Sequence, residues 1–200
     1  GSLLRMSEVI YSEMSSFYNI VSLYGPSHAE EVIDKQPATL VSASDDLDIA
    51  KKVQSIFSSD NLRVYTNQDI IGVELGGSLK NVIAIATGIC DGIGFGDNTK
   101  AALLTRGMAE IIRLGEKMGA NPSTFSGLSG VGDLIATCLS QHSRNRFVGQ
   151  SIGEGKNLDE ILNSMDMVAE GVNMSRSIND LSKKYKVDMP ISKAVYKILF

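Results

Sequence analysis

Three stretches of this chain carry side chains whose surroundings would make them reactive. The first is Glu74-Leu75-Gly76-Gly77-Ser78-Leu79-Lys80-Asn81-Val82-Ile83-Ala84-Ile85-Ala86, in which Lys80 is the only cation. A lysine there either snorkels outward and covers apolar neighbours with its stem, or sits in a protected pocket. In a pocket, desolvation disfavours the ammonium and readies the amine for proton transfer. The second stretch, GVGDLIATC over residues 130–138, sets Asp133 between glycines and an apolar helix start. Asp133 either caps that helix or faces Lys80 and holds it in position, with Thr137 one turn later on the same face. The third, Gln141-His142-Ser143-Arg144-Asn145-Arg146, puts cations and hydrogen-bonding side chains at an expected helix start. Backbone N–H groups and a guanidinium fork there suit a phosphate or a carboxylate; the alternative is a solvated loop. Together the three supply a proton-transfer lysine, a carboxylate and an anion clamp, a set suited to a small phosphorylated alcohol or ketone.

The elements that must position these groups fall into two kinds. Before residue 70, helix and strand alternate: a helix over 3–14, a strand over 18–23, the turn Gly25-Pro26-Ser27, a helix over 28–33 and a strand over 38–43. A helix opened by Asp45, Asp46 and Asp48 and a strand over 62–66 follow. This alternation is the pattern of a layered α/β sheet. After Asp69 the spacing becomes helical almost throughout. A long apolar helix over 70–90 comes first, then a second running from a cap at Asp97 or Asn98 to Gly119. Shorter helices follow near 128–139, 143–152, 157–163, 170–185 and 190–199, the last opened by Pro190. Residues 1–70 therefore read as a piece of an α/β domain and residues 71–200 as an all-helical domain. The glycine-rich run Asp91-Gly92-Ile93-Gly94-Phe95-Gly96-Asp97-Asn98-Thr99, which leads to Lys100, is expected to form another wall of the Lys80 site.

Composition excludes several function classes. Nineteen basic against twenty-three acidic residues give a net charge of -4, with no Lys/Arg-rich run, so non-specific nucleic-acid binding is not indicated. Cys90 and Cys138 stand alone in apolar surroundings, as small core residues do in a reducing, cytoplasmic setting. His28 and His142 are too few and too far apart in sequence to suggest a metal site. No uninterrupted apolar run of about 18 residues predicts a membrane span. Gly92, Gly94 and Gly96 follow a helix rather than a strand, so they do not make the strand–turn–helix fingerprint that binds dinucleotide phosphates, and nothing before residue 70 does.

The motifs resemble those of the NAD(P)-dependent glycerol-3-phosphate dehydrogenases of bacterial type. The resemblance lies in Gly25-Pro26-Ser27-His28-Ala29-Glu30-Glu31, in residues 73–81, in CDGIGFGDNTK over 90–100, in residues 130–137 with Ser143-Arg144-Asn145-Arg146, and in Val168-Ala169-Glu170-Gly171. It spans nearly all 200 residues. It implies the end of a Rossmann-type cofactor domain followed by an all-α substrate domain. It implies hydride transfer between NAD or NADP and C2 of sn-glycerol 3-phosphate, giving dihydroxyacetone phosphate, a reaction that feeds glycerophospholipid synthesis. It further implies that Lys80 moves the proton at C2 and that Asp133 holds Lys80 and substrate. Ser143, Arg144 and Asn145 would bind the phosphate and Gly25 and Ser27 border the substrate, while Ala29, Arg144, Val168 and Glu170 touch the cofactor. Since the glycine-rich turn and first βαβ unit of the family precede this sequence, little or no turnover is expected of the chain alone. A cytoplasmic location and a homodimer are compatible with the same likeness. Three other readings stay open: a non-catalytic sugar-phosphate-binding or dimerisation module, one half of a split enzyme, and a 6-phosphogluconate-type dehydrogenase relative.

Overall fold

A computed structural model describes residues 2–14, 19–165 and 167–200. Its first part holds helix α1 (Met6–Glu13), strand β1 (Ser22–Tyr24), helix α2 (Ala29–Ile33), strand β2 (Ala38–Ala43), helix α3 (Leu47–Phe57) and strand β3 (Leu62–Asn67). The strands form one sheet in the order β1-β2-β3. β2 and β3 run parallel, in register from Ala38↔Leu62 to Ala43↔Asn67, and α3 supplies the crossover that parallel strands require. β1 pairs antiparallel with β2 along only three residues, Ser22↔Ala43 to Tyr24↔Val41. The first strand is thus shorter than expected and begins later; Tyr18, its expected start, lies outside the described residues. Asp46 opens α3 by accepting from the amides of Asp48 and Ile49, a normal N-cap.

Everything after the sheet is built on helix α4 (Ile70–Ile93). Asp69 caps it, one carboxylate oxygen accepting from the Gly72 amide at 2.8 Å while the other takes the Asn121 amide and the Thr124 hydroxyl. The helix runs past the expected end at residue 90 until Gly94, at φ +88°, turns the chain into the left-handed region. There the Phe95 amide bonds back to the Cys90 carbonyl at 2.9 Å, closing the end as a Schellman turn does. α4 is apolar on nearly every side, which marks a fully enclosed helix. It is long and apolar enough to cross a membrane, but 83% of its most apolar window is buried against its own chain. Leu79, Val82, Ile83 and Ile85 anchor the large core, and Ile70 and Val73 join a smaller core with Val41 and Ala43 under the sheet.

The remaining helices are α5 (Asp97–Lys117), α6 (Asp133–Leu139), α7 (Arg144–Gly153), α8 (Leu158–Asn163), α9 (Glu170–Lys184) and α10 (Pro190–Leu199). Gly96, not Asp97 or Asn98, occupies the cap of α5. Asp97 is the first helical residue and reaches Lys100 at 3.0 Å instead. Two short turns were not expected: a 3₁₀ turn (Pro122–Ser126) and a π-type turn (Leu128–Gly132) that feeds directly into α6. Buried Glu110 of α5 accepts from the amides of Ile191 and Ser192 and from the Ser192 hydroxyl, capping α10 from outside. Glu74 of α4 is likewise buried and accepts from Ser7, Ser22 and Arg5, tying α1 and β1 to the helical part.

The tightest packing is between α4 and α7. A Cβ at Gly88 would lie 2.0 Å from the Arg146 carbonyl oxygen, and one at Gly149 would lie 2.0 Å from that of Ile85. Gly92 and Gly153, one turn further along each helix, meet in the same way. Two glycines four residues apart on each helix thus bring backbone against backbone, which fixes the start of α7 beside the middle of α4.

Candidate active site

Lys80 points from the middle of α4 into a cleft of about 260 Å³ between the end of β1, α6, the start of α7 and the start of α9. Its Nζ donates to Oδ1 of Asp133, and the two side chains are only 15% and 4% exposed. Neither surface reading holds for these residues: Lys80 does not snorkel, and Gly132 rather than Asp133 stands at the cap of α6. The π-type turn makes this possible. It is built on glycine where Gly130 passes the Phe125 carbonyl and Gly76 passes that of Ser129. Asp133 therefore begins α6 with its carboxylate turned on α4. Thr137 adds a hydrogen bond to Oδ1 at 3.3 Å. The second oxygen, Oδ2, is buried with no partner among the described residues. An orphaned acceptor of this kind is costly and marks a place where a ligand hydroxyl or amine would be held.

The cluster at residues 143–146 separates into distinct structural roles. The Ser143 hydroxyl accepts from the Arg146 amide and caps α7. Arg146 is drawn away from the cleft to Asp91, at 2.7 Å. Arg144 is exposed, lines the cleft and has no ion-pair partner among the described residues. Its guanidinium and the first-turn amides of α7 remain as donors. Asn145 is buried and engaged at both ends of its amide: it donates to Asn81 Oδ1 at 3.0 Å and accepts from the Gly171 amide at 2.8 Å. Asn81 in turn donates to Glu170 at 3.3 Å. This chain of side chains locks α4, α7 and α9 together at the floor of the cleft.

Gly25, Ser27, Lys80, Asp133, Ser143, Arg144, Asn145, Val168 and Glu170 all line the one cleft, whereas Ala29 does not. Ala29 is the exposed first residue of α2, beside His28, which does line it. Gly25 sits at φ +152°, and a Cβ there would meet the Thr39 carbonyl oxygen at 2.7 Å, so the turn that carries Ser27 into the cleft needs glycine. The expected wall from the glycine-rich run is absent from this cleft. Asp91 in that run binds Arg146 and Lys100, so its charges neutralise one another beside α7.

This architecture has close relatives. Residues 69–200 match the family model for the NAD-dependent glycerol-3-phosphate dehydrogenase C-terminus, and residues 1–50 match that for its N-terminus. The chain belongs to the NAD-dependent glycerol-3-phosphate dehydrogenase family. It is 58% identical to the glycerol-3-phosphate dehydrogenase [NAD(P)+] of Prosthecochloris aestuarii and 56% identical to that of Chlorobium chlorochromatii. Both matches cover 100% of this chain and 61% of the relative, so the chain spans about three fifths of the length of these curated relatives. The crystal structure of the glycerol-3-phosphate dehydrogenase of Coxiella burnetii superimposes with a TM-score of 0.95 at 38% identity, covering 98% of this chain and 60% of that one.

In this family member the cleft also contains residues to which the sequence assigned no role in the site: Leu23, Tyr24, His28, Gly77, Asn81 and His142. Asn81 directly follows Lys80, but adjacency on a helix says nothing about sharing a face. The Tyr24 ring packs against Gly77, whose absent Cβ would stand 2.1 Å from its Cδ1. Burial pushes the Tyr24 phenol above its ordinary range; a hydrogen bond with Ser78 opposes this, and the carboxylates of Glu74, Glu170 and Asp133 add to it. Tyr24 is therefore a neutral wall of the cleft. The only signal for it in the sequence is the proximity of a strand end to the Gly25-Pro26 turn.

Proposed function

We propose that this chain carries the substrate side and the proton-transfer group of a glycerol-3-phosphate dehydrogenase, interconverting sn-glycerol 3-phosphate and dihydroxyacetone phosphate with NAD or NADP. The observation that carries this reading is the buried Lys80–Asp133 pair with a leftover acceptor, facing a cleft whose other side is Arg144 at the start of α7, which has no ion-pair partner among the described residues. In the direction of ketone reduction, the Lys80 ammonium donates a proton to the C2 oxygen as negative charge develops there. In the reverse direction the amine accepts the hydroxyl proton. Asp133 fixes the rotamer of Lys80 through Oδ1, and its free Oδ2 accepts from a substrate hydroxyl. Arg144 and the first-turn amides of α7 bind the phosphate, with Ser143 and Asn145 setting the position of that turn. Gly25 and Ser27 border the carbon chain.

The nicotinamide cofactor, when bound, supplies the hydride acceptor or donor. The residues present fit one end of it. Val168 is two-thirds exposed at the rim and gives an apolar edge near Lys80, with Glu170, Arg144 and Ala29 as its further contacts. A boundary between the two domains near residue 70, a cytoplasmic location and a homodimer belong to the same reading. The two free thiols suit a reducing compartment.

Calorimetry with dihydroxyacetone phosphate tests the binding half on the chain itself: affinity is expected in the wild type and lost in Arg144→Ala. The chemical half is tested by joining these residues to the part of the Prosthecochloris relative outside the match and following NADH and NADPH absorbance. Lys80→Ala should lower kcat by about 10²–10⁴, a larger loss than its weakening of dihydroxyacetone phosphate binding accounts for. Turnover unaffected by Lys80→Ala would remove the reading.

A further inference from the structure

The two histidines lie far apart in sequence, yet the fold brings their rings to 6.2 Å between centroids, with the planes 49° apart. His28 stands immediately before α2, at the end of the turn from β1, and His142 lies in the short loop between α6 and α7. Both line the mouth of the cleft, and neither has a part in the reaction above. The Nε2 atom of His28 is 3.4 Å from the Ala136 carbonyl oxygen of α6. A carbonyl can only accept, so a hydrogen bond there is donated by Nε2–H, and in the neutral ring Nδ1 is then the nitrogen open to a metal. Anchoring one nitrogen on a backbone carbonyl while the other stays basic is the arrangement that orients histidine as a metal ligand.

We propose that His28 and His142 form a two-histidine site for a borderline divalent transition metal, of the Zn²⁺, Ni²⁺ or Cu²⁺ class. Imidazole suits these ions better than Mg²⁺ or Ca²⁺. The spacing is right. With metal–nitrogen bonds of about 2.0–2.1 Å, each ring centroid lies roughly 3.2 Å from the ion, so two rings sharing one ion have centroids up to about 6.4 Å apart. The observed separation of 6.2 Å falls within that reach at a wide nitrogen–metal–nitrogen angle; a tetrahedral angle asks the rings to close by about 1 Å, to about 5.2 Å between centroids. Only two protein ligands are present, and no group of three or more His, Cys, Asp or Glu side chains gathers among the described residues. The ion therefore keeps water in its remaining positions and exchanges readily. Its structural effect is a clasp: it joins the sheet-bearing part, through the β1–α2 turn, to the helical part, through the α6–α7 loop, across the mouth of the cleft. This inference does not depend on the reaction proposed above.

The test uses the untagged chain with Ni²⁺, Zn²⁺ or Cu²⁺ alone. Calorimetry should show one ion per chain, and the urea midpoint should rise with metal, because an ion that binds only the folded state stabilises it by mass action. Two donors on one frame act as a chelate, so His28→Phe and His142→Ala should each weaken binding on the order of 100-fold, whereas Cys90→Ser should leave it unchanged. The Cu²⁺ electron paramagnetic resonance spectrum should show coupling to two nitrogens in the wild type and to one in either variant. No saturable binding, or binding that survives both histidine substitutions, would overturn the site. Loss of binding in Cys90→Ser would assign the ion to the thiol and overturn it equally.

Discussion

Replacing Gly149 with alanine sets two effects against each other. Alanine is the better helix former by about 0.8–1.0 kcal/mol, and on that ground alone the variant would be more stable. The structure reverses the sign. The new Cβ would stand 2.0 Å from the Ile85 carbonyl oxygen, 2.8 Å from its carbon and 2.9 Å from the Ile89 amide nitrogen. All three are backbone atoms of α4, so no rotamer change relieves the clash. Packed atoms settle near 3.5–4.0 Å, so α4 and α7 must part by more than about 1 Å. Overpacking costs roughly 1–3 kcal/mol, and contact with backbone on a buried helix places this case at the top of that range. Set against the propensity gain, a net loss of about 2 kcal/mol remains, roughly a thirtyfold shift toward the unfolded state. Urea unfolding followed by circular dichroism measures it as a lower midpoint at unchanged slope. Gly96→Ser is the matched control. A Cβ at Gly96 meets nothing within 4 Å, and this glycine is the cap of α5 without a side-chain bond. Serine there should add a few tenths of a kcal/mol. A Gly149→Ala midpoint at or above that of the wild type would refute the close-packing argument, and with it the reason given for where Arg144 and Asn145 stand.

Three further perturbations follow from buried groups. Glu110→Ala removes the acceptor of two amides and a hydroxyl at the start of α10. At about 1–3 kcal/mol per stranded group it should cost more than 3 kcal/mol, with faster amide exchange confined first to α10. Glu74→Gln leaves the Arg5 guanidinium without its carboxylate; breaking a buried pair on one side costs about 3–5 kcal/mol, and urea midpoints should fall accordingly. The Cys138 thiol is pushed up to about 12 by burial, against opposing contributions from a Thr87 hydrogen bond and the Lys80 charge. Because the unfolded thiol ionises near 9.0 and the folded one does not, its contribution is complete below that pH. It is lost as pH rises through the interval to about 12. The slope should become shallower in Cys138→Ala, with the remainder left by the raised Cys90 thiol and Tyr24 phenol, and thiol reagents should leave native Cys138 unmodified.

The parts of the fold legible in the sequence are those governed by local rules. β2 is found at residues 38–43 because an apolar β-branched run between polar breaks has one reading. α10 starts at Pro190 because proline suits the first turn. The errors arise where distant backbone decides. α4 runs on to Gly94 because the last turn is held by α7, and no periodicity within 70–93 records that. The π-type turn before Asp133 exists because Gly76 and Gly130 admit carbonyls from elsewhere in the chain; by spacing alone the segment is simply a helix from 128 to 139. The site shows the same division. Lys80, Asp133 and Arg144 stand out as charges among apolar neighbours or at a helix start. The Asn81–Asn145–Glu170 chain does not, because neutral amides become informative only once α4, α7 and α9 are seen to meet. The glycine run at 92–96 misleads for the converse reason: Gly92 packs against α7, Gly94 ends α4 and Gly96 caps α5, so their density marks one backbone contact and two helix ends.

One helix therefore carries both the centre of the core and, under the proposed function, the proton-transfer lysine, and the two constrain each other. Lys80 lies on α4 between Gly77, on which Tyr24 rests, and Gly88, against which α7 rests. Its partner Asp133 arrives on α6 only because Gly76 lets the π-type turn approach. A surface lysine can be moved or replaced at little cost, but here each group that faces Lys80 comes from an element held to α4 by glycine contact. Enlarging any of those glycines should move the carboxylate or the guanidinium before it unfolds the protein. The pairing of Lys80 with Asp133 would then fail at a smaller displacement than global packing does, since a hydrogen bond weakens steeply with misalignment while a core tolerates partial relaxation. This ordering distinguishes a scaffold built around the Lys80 pair from a helical core that happens to contain it. In a series such as Gly76→Ala, Gly88→Ala and Gly149→Ala, dihydroxyacetone phosphate affinity should drop further, relative to wild type, than the loss in folding free energy accounts for. A series in which affinity and stability fall in proportion would favour the second description.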